Sequence, residues 1–209
     1  MEKRKNKNKN MSQYLIIGSF FLFIGLGVIG LKLYNNYFTH IKEENAIEDF
    51  FEIKQEDTKN VIVDEVQETK EEPKKESTYN YIAVLEIPRI HLKRGLVAIN
   101  DKSNNVNKNI EIIKGSDMPD VANGNFILAG HSGYSNISYF KNLNKMELND
   151  LIYVYYNGEK FNYKITNIYD VEKTGQVSIS KNNNANTLTL ITCRHNTNKQ
   201  IVIIAELTN

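Results

Sequence analysis

The sequence predicts an all-β domain, a barrel or sandwich with short helices, standing behind one helix long enough to cross a membrane. Three observations carry that reading. Residues Tyr14 to Leu31 form an apolar run without a single charge. Residues 35–80 are rich in acids and lysines and poor in apolar period. Beyond Tyr81 the chain breaks into short β-rich runs, ended by Gly, Pro or Asn-Gly.

The apolar run follows a basic tail, residues 1–10, in which Lys3, Arg4, Lys5, Lys7 and Lys9 face only Glu2. Eighteen helical residues at about 1.5 Å each give roughly 27 Å, enough to cross a hydrocarbon core. Lysines and arginines stay on the cytoplasmic side, so the tail is expected inside and the remaining chain outside. A cleaved signal peptide is the competing reading. It fits less well, because Lys32, Leu33 and Tyr34 follow the run where a small-x-small site would stand. The expected organisation is therefore a basic tail at 1–10, an anchor at 11–34, a solvated spacer at 35–80 and one folded domain at 81–209. Transient helix is expected near 42–54. A chain starting near Ser77 is expected to fold, because the first strand begins near Tyr81.

Within the domain, Ile82–Ile87 reads as a strand stopped by Pro88, which cannot continue a central ladder. Gly124–Gly130 is a second, bounded by glycines. Leu151–Tyr156 and Lys160–Ile165 flank Asn157-Gly158, the strongest short hairpin signal in the chain. Thr187–Thr192 and Gln200–Ala205 complete the set. Short helices are expected at 103–112 and at Ser138–Leu143. A domain of this size can bury a core without disulfides. None can form within the chain, since Cys193 is its only cysteine, and a cysteine zinc cluster is excluded too. The formal net charge of +1 gives no sign of a nucleic-acid partner. Abundant asparagine reads as compositional bias.

Two residue types carry chemistry. Cys193 follows the strand Thr187–Thr192, and His131 follows Gly124–Gly130. If those strands are neighbours, a thiolate nucleophile meets an imidazole that can shuttle protons. Alone, each has a plainer reading: a lone cysteine is a small buried hydrophobe, and a lone histidine is structural or solvent-facing.

Local motifs shift the balance. Thr189-Leu190-Ile191-Thr192-Cys193, preceded by Thr187-Leu188, resembles the TLxTC motif of the sortases. Ala129-Gly130-His131-Ser132-Gly133 resembles the segment around their histidine, and Gly124–Leu128 the strand leading into it. Leu85-Glu86-Ile87-Pro88-Arg89-Ile90 resembles the run that opens their barrel. The resemblance implies a closed eight-stranded β-barrel with Cys193 and His131 in one groove. It implies cleavage of a Leu-Pro-x-Thr-Gly-like sorting signal near the C-terminus of exported proteins. The acyl group is then held as a thioester and passed to an amine, usually of a peptidoglycan precursor. Ala129, Ser132 and Thr192, beside the two reactive residues, are the expected substrate contacts. No cofactor is expected. Calcium dependence stays open, with Glu147, Asp150 and Glu172 as possible ligands.

One position departs from the family pattern. Where sortases place an arginine before the last apolar strand, this chain has Gln200. Gln200 is the first candidate for the missing oxyanion donor, and Arg194 the second. Adjacent residues on a strand point to opposite faces, which disfavours Arg194. His195 is expected to face solvent. Two other readings stay open: a membrane-tethered cysteine peptidase that passes the acyl group to water, and a non-enzymatic extracytoplasmic binding module.

Overall fold

The computed structural model describes the backbone of residues 2–59 and 80–208, and the side chains of residues 14–52 and 80–208. Helix α1 spans Glu2–Lys59. Eight strands follow: β1 Tyr81–Ile87, β2 Leu92–Val97, β3 Glu111–Ile112, β4 Asn125–Ala129, β5 Leu151–Tyr156, β6 Glu159–Glu172, β7 Thr187–Cys193 and β8 Lys199–Thr208. The compact units are 1–44 and 45–209.

In the first unit, the α1 segment from Tyr14 to Leu31 exposes nearly every large apolar side chain, among them Phe20, Phe23 and Leu31. A helix apolar on all sides, and left exposed among the described residues, is shaped for a hydrocarbon environment. Its most apolar stretch has a mean hydropathy of 2.3.

The second unit begins while α1 is still helical. The irregular spacer expected at 35–80 is helix as far as Lys59, and residues 60–79 lie outside the described residues. Glu and Lys are good helix formers. Ala46, Ile47 and Phe50, spaced one and then three residues apart, also make an apolar stripe. That stripe buries against Tyr81, Val84 and Val97 on the outer surface of β1 and β2. Phe51 meets the Tyr155 ring edge-on at 5.0 Å, and the Lys93 ammonium lies 4.9 Å from the Phe51 ring centroid. Tyr155 donates its hydroxyl to Glu86 at 2.8 Å. Burial first, then that carboxylate, pushes the phenol up to about 12. A chain starting near Ser77 would uncover this patch, so the unit that buries its own surface starts near Asn45.

The strands form one sheet in the order β2-β1-β5-β6-β8-β7-β4-β3. It curls until its end strands approach, giving a nearly closed barrel. Every neighbouring pair is antiparallel except β4 and β7. Leu85, Ile87, Leu96, Phe126, Leu128, Ile152, Val154, Leu188, Leu190, Ile203 and Ala205 fill the interior, following the two-residue period of the strands. The hairpin at Asn157-Gly158 joins β5 to β6 with Tyr156 opposite Glu159. Both turn residues have positive φ, 50° and 80°, as a two-residue turn matched to strand twist requires.

Neither short helix forms where the sequence suggested. Residues 103–110 make a chain of turns before β3, and 138–142 are turns that lead to a 3-10 turn at Leu143–Lys145. In the first segment asparagine side chains compete with the helical backbone for its hydrogen bonds. In the second, Phe140 is drawn into the core.

Candidate active site

Register sets the two predicted reactive residues just past the last pair of two neighbouring strands. On the parallel pair, Ile127 lies opposite Thr189 and Ala129 opposite Ile191. One further bond continues the ladder, from the Gly130 amide to the Ile191 carbonyl at 3.2 Å. His131 and Cys193 are each two positions beyond the last pair, and so occupy equivalent places. Phe126, Leu128, Leu188 and Leu190 point inward. The alternate set, including Ala129, His131, Ile191 and Cys193, therefore lies on the outer face. Adjacent strands are about 4.8 Å apart, so the backbone positions of the two residues are neighbours. Both residues are partly exposed, and the thiol is free.

On the other side of Cys193, Gln200 is its direct partner in the antiparallel pair of β7 and β8. Side chains directly opposite share a face, so Cys193 and Gln200 lie side by side, and His131 continues the row just beyond the end of β4. Gln200 is half-buried. Arg194 falls on the opposite face, paired with Lys199 through a 2.8 Å backbone bond. Its guanidinium Nε donates to Asp170 Oδ1 at 2.7 Å, so its charge is neutralised away from the row.

The remaining predicted residues separate. Ala129 shares the outer face with His131, and Ser132 follows it, partly exposed. Thr192 is 3 % exposed, and its hydroxyl donates to the Gly130 carbonyl at 2.6 Å. It ties β7 to β4 from the inner side, whereas Ala129 and Ser132 lie toward the surface. The His195 ring is exposed and lies edge-on to the Tyr134 ring at 4.5 Å. Glu147 and Asp150 both engage Arg89, Asp150 Oδ2 at 3.2 Å from Nε. Glu172 stands at the end of β6, opposite Lys199. Among the described residues no group of three or more His, Cys, Asp or Glu is placed to hold a metal ion.

A close approach sets the position of His131. Phe140 is fully buried, and its amide donates to the His131 carbonyl at 3.0 Å. A Cβ added to Gly130 would lie 2.9 Å from the Phe140 ring, so the chain just before the histidine needs a residue without one. Sequence reasoning missed Asn107, whose Oδ1 lies 3.1 Å from His131 Nε2. It belongs to a distant loop, and no local pattern marked it.

Cys193, the one cysteine of the sequence, thus ends the seventh strand of a nearly closed eight-stranded barrel. The family profile described as the sortase domain matches residues 85–208, and the chain belongs to the sortase family. Sortase C-1 from Actinomyces oris is 26 % identical, with a TM-score of 0.55 over 63 % of this chain and 76 % of that one. A lid mutant of sortase A from Corynebacterium diphtheriae is 24 % identical, with a TM-score of 0.56 over 62 % and 71 %. The sortase D5 transpeptidase of Clostridium perfringens is 22 % identical, with a TM-score of 0.57 over 80 % and 99 %. These neighbours spread over sortases A, C and D, and what they share with this chain is the fold. Among curated proteins, none matches the chain significantly.

Proposed function

We propose that this protein is a membrane-anchored sortase, its N-terminus inside the cell and its barrel outside. It cleaves a Leu-Pro-x-Thr-Gly-like sorting signal in exported proteins and joins the new carboxyl end to an amine of the cell wall. The observation that carries the reading is the equivalent placement of His131 and Cys193, each two positions beyond the last pair of the parallel strands β4 and β7. The basic tail and the uncovered apolar helix support the anchor.

The chemistry runs in two halves. The Cys193 thiolate attacks the Thr carbonyl, and the tetrahedral intermediate collapses with cleavage of the Thr–Gly C–N bond. The leaving glycine amine takes a proton from the His131 imidazolium, leaving a thioester on Cys193. In the second half His131 removes a proton from the incoming amine, which attacks the thioester carbonyl and releases the thiolate. No step calls for a resident cofactor. A tethered peptidase would use the same first half and admit water in the second. The test is product analysis by mass spectrometry with a sorting peptide, with and without added oligoglycine. The transpeptidase reading expects the amide-linked product to dominate when amine is present. Hydrolysed peptide alone, at saturating amine, would sink it in favour of the peptidase.

Gln200 is the donor we assign to the oxyanion. It faces the same way as Cys193, whereas Arg194 faces away and is held by Asp170. Gln200→Ala is expected to slow single-turnover acylation by roughly one to three orders of magnitude, the range for one oxyanion donor. Peptide affinity should fall less, because the bond tightens mainly in the transition state. Arg194→Ala should change acylation little. A neutral Gln200→Ala beside a crippled Arg194→Ala would move the role to Arg194.

A further inference from the structure

The loop between β2 and β3 is held by its own asparagines. The Asn104 amide nitrogen donates to the Ile99 carbonyl at 3.1 Å and the Ile112 carbonyl at 2.9 Å, while its Oδ1 accepts the Ile112 amide at 2.7 Å. Asn105 Oδ1 accepts the Asn107 amide at 2.9 Å. The Val106 amide donates to Glu111 at 3.2 Å. Asparagine side chains mimic backbone turns in this way and stiffen a segment without regular structure.

The loop is also fastened to the barrel. Asn109, 4 % exposed, donates to the Gly95 carbonyl at 3.0 Å and accepts Arg94 Nε at 2.8 Å. Arg94 is itself buried, and its guanidinium lies 4.1 Å from the centroid of the Tyr139 ring. Tyr139 precedes Phe140, whose amide bonds the His131 carbonyl. One buried guanidinium therefore braces both loops: the one that carries Asn107 and the one that carries His131. The 3.1 Å contact between Asn107 Oδ1 and His131 Nε2 joins two fixed ends.

We propose that Asn107 is a positioning residue for His131: its side-chain carbonyl accepts the Nε2–H and leaves Nδ1 as the ring atom that exchanges protons with substrate. The proposal rests on the reading of His131 as the acid–base. A neutral imidazole carries one N–H, and the partner of one nitrogen decides the state of the other. Without that partner the ring divides its time between tautomers and rotamers, only some of them productive. Asn107 is suited to the test because its side chain is exposed and touches His131, while the bonds that hold the loop belong to its neighbours.

The experiment uses the full-length chain in detergent micelles, labelled with 15N-histidine, with His131→Gln assigning the resonance. At a pH where the ring is neutral, the parent should show His131 as the Nε2–H tautomer. Asn107→Ala should shift it toward a mixture, and Asn107→Asp, which keeps the acceptor, should restore it. Single-turnover acylation should fall about fivefold to twentyfold in Asn107→Ala, as for loss of one hydrogen bond, with peptide KM unchanged. An Nδ1–H tautomer in the parent would overturn the proposal without any variant, and so would an unchanged tautomer in folded Asn107→Ala. The tautomer is read without turnover, so failure of the transpeptidase reading would appear separately, as absence of acyl transfer in the parent.

Discussion

Cys193→Ala is expected to abolish the acyl-enzyme and all turnover, a loss of at least about a thousandfold, because no other group can form the covalent intermediate. Among the residues of the chain it is the sole thiol. Its neighbours offer no substitute: Thr192 is buried with its hydroxyl bonded to the Gly130 carbonyl, and Gln200 is not a nucleophile. The fold should survive. The side chain is only partly buried, and exchanging a thiol for a hydrogen at the end of a strand removes few packing contacts. Intact-mass analysis after mixing with a sorting peptide tests it. The parent should gain the mass of the acyl fragment, and the variant should gain nothing while keeping the parent's far-ultraviolet circular dichroism. A covalent adduct or measurable turnover in folded Cys193→Ala would remove Cys193 from the role assigned to it. Loss of the fold itself would mean that the thiol packs more tightly than its exposure indicates.

The legibility of this chain follows the range of its interactions. Strands that bury one face or two announce themselves through period and bounding glycines, so β4, β5, β7 and β8 lie close to where the sequence placed them. The Asn157-Gly158 hairpin was equally plain, since its turn depends on two adjacent residues. β2 and β3 were not foreseen. Lys93, Arg94 and Gly95 interrupt the apolar pattern of β2, and β3 is two residues long. The later half of β6 was missed because Asn167 and Asp170 make it look like loop, although β8 pairs along its length. Helix near 42–54 was expected only as transient, because its stripe of Ala46, Ile47 and Phe50 becomes meaningful only once the outer surface of β1 exists to receive it.

The site divides the same way. Motifs local in sequence found His131 and Cys193, but their adjacency needed the parallel pairing of β4 with β7, which no local pattern encodes. The face of Arg194 followed from strand alternation alone, whereas its partner Asp170 required the sheet order. Thr192, next to Cys193, falls on the inner side by the same alternation that disfavoured Arg194.

His131→Ala should lower acylation by a sorting peptide by about two to four orders of magnitude, the usual range for a general acid–base. The size of that loss depends on what the group must do. Cleaving a peptide bond expels an amine, which cannot leave as an anion and needs a proton delivered as the C–N bond breaks. A thioester or activated ester expels a group that leaves without one. The same variant should therefore lose much less on a depsipeptide or thioester version of the substrate. That dependence on the leaving group separates loss of proton donation from general damage to the groove, which would depress both substrates alike. His195→Ala is the control. Its ring stacks edge-on against Tyr134 and lies among exposed residues beyond the end of β7, so its removal should leave both rates within a few-fold of the parent. Stopped-flow acylation with the amide and ester substrates, for both variants and the parent, gives the comparison. Should His195→Ala be inactive while His131→Ala keeps more than about a tenth of the amide rate, far above the expected residue, the acid–base would be His195. The row of His131, Cys193 and Gln200 would then have lost its first member.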